Sequence, residues 1–391
     1  MTPEQFRALF PALRRTAWLD TPGSPPGALP VTEALRGAVE DWSSGEFDWL
    51  DWDGAVDECR ELFARFLGVP PGTVSAVGSL AEAAGTVAGS LPPGRVVLAE
   101  QEFRGNLLPW LAGHEVVTVP ARGGVTRTED LIAALDGRCA LLAVSELTSR
   151  DGYRHDLAAL RAATDRVGAR LFVNLTQSLG ALRFDPAAVA PDYLAVHGYK
   201  WLLCPRGAAW LVTRPDRLDE LRPLAPNWHA TPAPRGYFGA PPGLAADAAR
   251  CDASPAWFSW VGARAALRIW LGVDPARVEQ HCLGLAGRLA ARAAELGLAR
   301  IGAPGPVGDP AGPAGWPGPT GPVGGCAAFL ASPASQIVVL RTDRPERLTE
   351  ALAARRVRAT VLGDRVRFGV HYFNDGTDVD AVLDVLREVA R

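Results

Sequence analysis

Between residues 55 and 215, short apolar runs bounded by polar turns alternate with longer stretches of helical period. The runs "RVVLAE" (95–100), "ALLAVSE" (140–146), "RLFVNL" (170–175), "YLAVHG" (193–198) and "AAWLVT" (208–213) predict buried strands. Between two of them, "DLAALRAATDRVG" (156–168) places Leu157, Leu160 and Ala163 on one helical face. Strands alternating with helices predict an α/β fold with a mostly parallel sheet. In such sheets ligands bind beyond the carboxyl ends of the strands. Asn174 falls at one such end, and His197 to Lys200 fall at another.

Downstream, residues 255–297 read as helix, with Gly272 and Pro275 marking a break. Residues 302–325 form a Gly/Pro-rich low-complexity loop. Beyond it, "SQIVVLRT" (335–342), the helix "RPERLTEALAARRV" and "DRVRFGVHYF" (364–373) predict a strand–helix–strand unit. "TDVDAVLDVLREVAR" then closes the chain as an amphipathic helix. The expected organisation is an N-terminal arm (1–20), a large ligand-binding domain (21–250) and a small C-terminal domain (251–391).

Composition narrows the function classes. A net charge of -3 gives no global electrostatic case for nucleic acid or an anionic membrane. The start, "MTPEQFRALFPALRR", lacks the apolar run of a signal peptide, and no uninterrupted run reaches the roughly 18 apolar residues of a membrane span. A cytoplasmic protein is expected. Six scattered cysteines show no CxxC pair and the six histidines no clustering at ligand spacing, so no metal site is expected, and the cysteines read as reduced thiols.

One residue stands out against this background. Of 40 basic residues, 39 are arginine, and Lys200 is the only lysine. Arginine cannot take over where a deprotonated amine must attack a carbonyl, because its guanidinium stays protonated. Lys200 is therefore a candidate Schiff-base residue, set at a strand end.

Several segments in order, from "WLDTPGSPPGALP" (18–30) to "HYFN" (371–374), resemble the class V aminotransferase family. That family includes cysteine desulfurases, kynureninase-like enzymes and isopenicillin N epimerase-like proteins. The resemblance implies a fold type I enzyme dependent on pyridoxal phosphate (PLP), with a large domain built on a seven-stranded, mostly parallel sheet, a smaller C-terminal α/β domain, and a homodimer with shared active sites. "GYKWLLCPRG" is similar to the Schiff-base segment, with Lys200 as the lysine and His197 and Tyr199 toward the cofactor phosphate. "VNLTQSLG" (173–180) matches a strand-end Asp-x-x-Gln motif, which implies that Gln177 approaches the cofactor's phenolic oxygen. The family's aspartate, whose charge keeps the pyridine nitrogen protonated, is here Asn174, and a neutral amide cannot stabilise a pyridinium by charge.

The resemblance assigns further positions. "VGSLAEAAG" (77–85) is similar to the turn and helix start under the phosphate, with Ser79 and Leu80 as contacts and Ala81 replacing a hydroxyl residue. "AEQEFRGNLLPW" (99–110) places Phe103 where an aromatic ring stacks on the cofactor. "CDASPAW" (251–257) implies that Ser254 reaches the phosphate of the partner subunit. "RVRFGVHYFN" (365–374) places Arg367 as the ligand of a substrate carboxylate, with Arg365 the nearby alternative. The helix-to-strand passage "ARRVRATVLGDRVRFG" carries no cysteine, and Cys326 lies on the far side of the preceding strand, so Cys-loop desulfuration is not expected. The expected function is a PLP-dependent enzyme acting on an amino acid, with amino transfer leading. The alternatives are a Cα/Cβ lyase or epimerase of a specialised biosynthetic pathway, and a catalytically degenerate relative kept for binding.

Overall fold

The computed structural model describes residues 1–239, 243–302 and 334–390. Its first strand is the short β1 (Ala17–Trp18), and seven more make the main sheet: β2 (Val74–Val77), β3 (Arg95–Ala99), β4 (Glu115–Val119), β5 (Cys139–Ser145), β6 (Arg170–Asn174), β7 (Tyr193–His197) and β8 (Ala209–Thr213). Their order across the sheet is β2-β8-β7-β6-β5-β3-β4, and only β8 runs against the rest. The fold is the expected α/β arrangement with a mostly parallel seven-stranded sheet. Pleat alternation divides its side chains between two buried faces. Val97, Leu142, Val144, Leu171, Val173 and Val196 join one core cluster. Val96, Leu98, Leu141, Ala143, Phe172 and Ala195 join another on the opposite face. Burial on both sides explains why these strands read as continuous apolar runs.

Helices Leu29–Ser44 and Trp49–Leu67 cover one flank and pack on Trp257–Leu271. Asp48 caps the second of these by accepting the Leu50 N–H at 2.9 Å. Within that flank, Arg60 is buried against Asp252, which also accepts the Ala76 N–H at 2.8 Å.

The C-terminal unit contains β9 (Ile337–Arg341), β10 (Val357–Arg358), β11 (Thr360–Leu362) and β12 (Arg365–Gly369). Strands β11, β12 and β9 form an antiparallel sheet backed by helices Pro345–Ala354 and Gly376–Ala390. The predicted helix over 255–297 is two helices, Trp257–Leu271 and Pro275–Glu295, broken where Gly272 and Pro275 stand and restarted by an Asp274 cap. Packing places Trp260, Ala263, Leu267 and Trp270 in the main core. Along Pro275–Glu295, Val278 and Cys282 still face the main core, whereas Ala286, Leu289 and Ala293 face the C-terminal one. The two cores therefore meet along this helix. Of the Gly/Pro-rich loop, all residues past Gly302 lie outside the described ones, as does Cys326.

The N-terminal arm ties the two units together. β1 pairs in parallel with β10, Gly369 N–H donates to Leu19 at 2.7 Å, and Phe6 and Phe10 sit in the main core. At Gly369 a Cβ would lie 2.2 Å from Pro22 Cδ, so only glycine lets the arm lie so close.

Candidate active site

The cleft opens beyond the carboxyl ends of β5, β6 and β7. Lys200, Phe103, Asn174, Gln177, His197, Tyr199 and Leu80 line it, together with Ser145, Leu147, Ser149 and Thr176. About 340 Å³ free of protein atoms lies within it, part of it open to solvent, which suits a small ligand.

Lys200 follows β7 on a tight loop in which the Cys204 N–H donates to the Gly198 carbonyl at 3.0 Å. A Cβ on Gly198 would sit 2.9 Å from both Cys204 Sγ and Trp210 Cζ3, so the loop needs glycine there. The lysine side chain is 5% exposed. Among the described residues its Nζ has no hydrogen-bond or ion-pair partner, and it lies 5.5 Å from the Phe103 ring centroid and 5.4 Å from that of Tyr199. Burial, reinforced by the Arg367 charge and opposed by Asp20, lowers its pKa from 10.5 to about 7.

Around the amine, each predicted residue has a defined place. Phe103 precedes the short helix Arg104–Leu107 and leaves its ring half exposed on the cleft. Asn174 ends β6; its Nδ2 donates to Ser145 Oγ at 2.8 Å and its Oδ1 accepts the Thr176 N–H at 3.0 Å. Gln177 Nε2 donates to the Pro22 carbonyl and to Ser149 Oγ, and its Oε1 accepts from Trp201 Nε1, so both amide N–H groups are engaged. Burial holds His197 at a pKa of about 4, hence neutral, and its Nε2 is buried without a partner among the described residues. Tyr199 packs on His197 at 4.5 Å and lies under the Arg206 guanidinium.

Ser79 caps helix Leu80–Ser90 by accepting the Glu82 N–H, while the Glu82 carboxylate accepts the Gly78 N–H at 2.7 Å. These bonds leave the Leu80 and Ala81 N–H groups without intrahelical partners. Arg367 donates to the carbonyl and hydroxyl oxygens of Ser149, both at 2.8 Å, and to Thr360 Oγ1, with Asp20 3.5 Å away. Arg365 instead pairs with Asp364; neither arginine is among the residues that line the cleft, and Arg367 reaches it through Ser149. Ser254 sits on an exposed turn before helix Trp257–Leu271 and does not line the cleft of its own chain.

Sequence reading missed Ser145, Ser149, Thr176, Asp20 and Glu102. All are polar residues at strand ends or beside one of the motifs. The only signal in the sequence was the polar tail of an apolar run, as in "ALLAVSE".

A doubly covered, mostly parallel sheet with an unpaired lysine at a strand end is the arrangement of a fold type I PLP enzyme. The class-V aminotransferase profile matches residues 51–306, and the chain belongs to that family. It is 29% identical over 314 residues to the uncharacterized aminotransferase YcbU of Bacillus subtilis (strain 168), spanning 78% of this chain and 83% of that protein. It is 26% identical over 358 residues to the isopenicillin N epimerase of Amycolatopsis lactamdurans, spanning 85% and 84%. Among solved structures, a mutant of C-DES with glycine covalently linked to its PLP cofactor superposes with a TM-score of 0.81 at 20% identity over 98% of this chain and 99% of that one. At that identity the likeness shows the fold alone.

The cofactor is pyridoxal phosphate, and the residues present fit it. The free amine suits an aldehyde, Phe103 offers a ring face, and the two unpaired N–H groups with the orphaned His197 Nε2 are donors suited to an anion. Among the described residues no cluster of metal-ligating side chains occurs, and no helix is long and apolar enough to cross a membrane.

Proposed function

We propose that this chain acts on an amino acid through a Schiff base at Lys200, with amino transfer as the reaction. The observation that carries this reading is the unpaired Lys200 amine, brought to a pKa of about 7 inside the cleft. When bound, pyridoxal phosphate supplies the carbonyl and an electron-withdrawing ring. An amine that titrates near neutrality serves first as nucleophile and then as the base that moves the substrate's Cα proton. Phe103 covers one ring face. Asn174 and Gln177 would orient the ring edge, the latter in place of one of its present hydrogen bonds. Ser79, Leu80, His197 and Tyr199 take the phosphate, joined by Ser254 of a second copy in a homodimer. Arg367, held beside the cleft residue Ser149, would bind the substrate carboxylate.

Cys-loop desulfuration lies outside this reading. Val357 to Gly369 contains no cysteine, and Cys59, Cys139, Cys204, Cys251 and Cys282 are buried away from the cleft lining. A second reading, a lyase or epimerase of a specialised biosynthetic pathway, draws support from the neutral Asn174 amide, which weakens the charge support that transamination draws on. A binding relative without catalysis is disfavoured by the retained lysine.

Lys200→Ala should abolish the visible absorbance of the PLP-loaded protein. Absence of that band in the parent protein after incubation with PLP would sink the reading. A spectral screen against amino acids, with mass analysis of products, then separates transfer from elimination and epimerisation.

A further inference from the structure

Glu102, one residue before Phe103, sits at the end of a short polar chain that leads to Asn174. Its carboxyl accepts hydrogen bonds from the Ser145 N–H at 3.0 Å, the Ser145 hydroxyl at 2.7 Å and the Phe103 N–H at 2.7 Å. Burial pushes the Glu102 pKa upward, while these donors favour the ionised form. All three groups donate, so a carboxylate is the form that the surroundings match.

Ser145 has a single hydroxyl hydrogen, and Glu102 takes it. The serine oxygen is then left to accept, and Asn174 Nδ2 donates to it. At the other end of the same amide, Oδ1 accepts the Thr176 N–H, a backbone donor that cannot reverse. The amide is held in one orientation from both ends. What remains to it is one Nδ2 hydrogen and a second lone pair on an oxygen already engaged.

We propose that Glu102 is a positioning residue which, through Ser145, holds Asn174 as an N–H donor toward the cofactor's ring nitrogen and keeps that nitrogen unprotonated. This rests on the reading of Asn174 as the ring-nitrogen partner given above. An aspartate in the same place would set two carboxylates against one serine hydrogen. Asparagine removes that conflict, because one donor and one acceptor then face each member of the chain. A neutral ring nitrogen withdraws electrons less strongly than a pyridinium. Carbanion formation at the substrate Cα then depends more heavily on Lys200 as base.

The test uses the full chain loaded with pyridoxal phosphate labelled with 15N in the ring. Three readouts are recorded between pH 6.5 and 8.5: the ring 15N chemical shift, the visible spectrum and the cofactor dissociation constant. The parent protein should give a shift in the unprotonated range, and Asn174→Asp a shift toward the protonated range. Glu102→Gln forces an amide donor against Ser145 and should weaken cofactor binding about tenfold, the worth of one hydrogen bond, with a moved ring shift. Ser145→Ala should behave likewise and Ser145→Thr, which keeps the hydroxyl, should restore both readouts. Where Glu102→Gln does not fold by circular dichroism, the Ser145 pair decides.

A protonated ring nitrogen in the parent protein overturns the proposal. So do parent-like shift and affinity in both Glu102→Gln and Ser145→Ala. Either result leaves the Lys200 reading intact, whereas a parent protein with no Lys200-dependent band brings down both.

Discussion

The reactivity of Lys200 should track pH in a way that no surface lysine would. A lysine with an ordinary pKa of 10.5 is neutral in about one molecule in 3,000 at pH 7. With its pKa brought to about 7, Lys200 is neutral in about half of them, a gain of roughly 1,500-fold in nucleophile. Mixing the cofactor-free protein with excess pyridoxal phosphate and following the visible band from pH 5.5 to 9.5 should give initial rates that level off above an inflection near 7. Arg367 lowers the amine's pKa and Asp20 raises it, with burial the larger cause. Arg367→Gln should therefore move the inflection up, short of 10.5, and Asp20→Asn should move it down. Titration of the cofactor's own phosphate is common to all three proteins, so the differences between them isolate the amine. An inflection above about pH 9 in the parent protein, or a shift of both variants in one direction, would refute the reasoning.

Three further outcomes are expected. The folded chain holds Lys200 below its unfolded pKa, so between pH 7 and 10.5 the unfolded chain binds more protons and cofactor-free stability rises with pH; Lys200→Met should remove that slope and gain about 4–5 kcal/mol at pH 6, and equal melting profiles would contradict it. Asn174→Asp should raise half-transamination with amino acids, read as the loss of the visible band; no gain would mean that ring charge is not limiting. Asp252→Ala strands the buried Arg60 guanidinium and should cost about 3–5 kcal/mol by denaturant titration, and a loss under about 1 kcal/mol would show the pair to be dispensable.

The strands that carry the site were legible because burial on both faces makes them unbroken apolar runs. β2, with only "VSAV", and the partly exposed β4 lack that signature and were not read. Lys200 and Asn174 stood out because each departs from a background, one of composition and one of motif. Glu102 and Ser145 do not. Their meaning lies in a contact 43 residues apart in sequence, between a loop and a strand end, and no periodicity records it. Likewise nothing local marks Asp20, whose contact to Thr360 spans 340 residues.

The seam between Pro22 and Gly369 also has a consequence for how the protein comes into being. Residues 17–22 have no sheet to join until residues 357–369 have left the ribosome. Before then the Pro22 carbonyl that receives Gln177 is unanchored, and Arg367 is not there to bias the amine. Until then the charge that Arg367 adds to the effect of burial on the Lys200 amine is missing. Docking of the last-made strand supplies that charge, so the amine reaches its full reactivity only when the two ends of the chain have met beside the cleft.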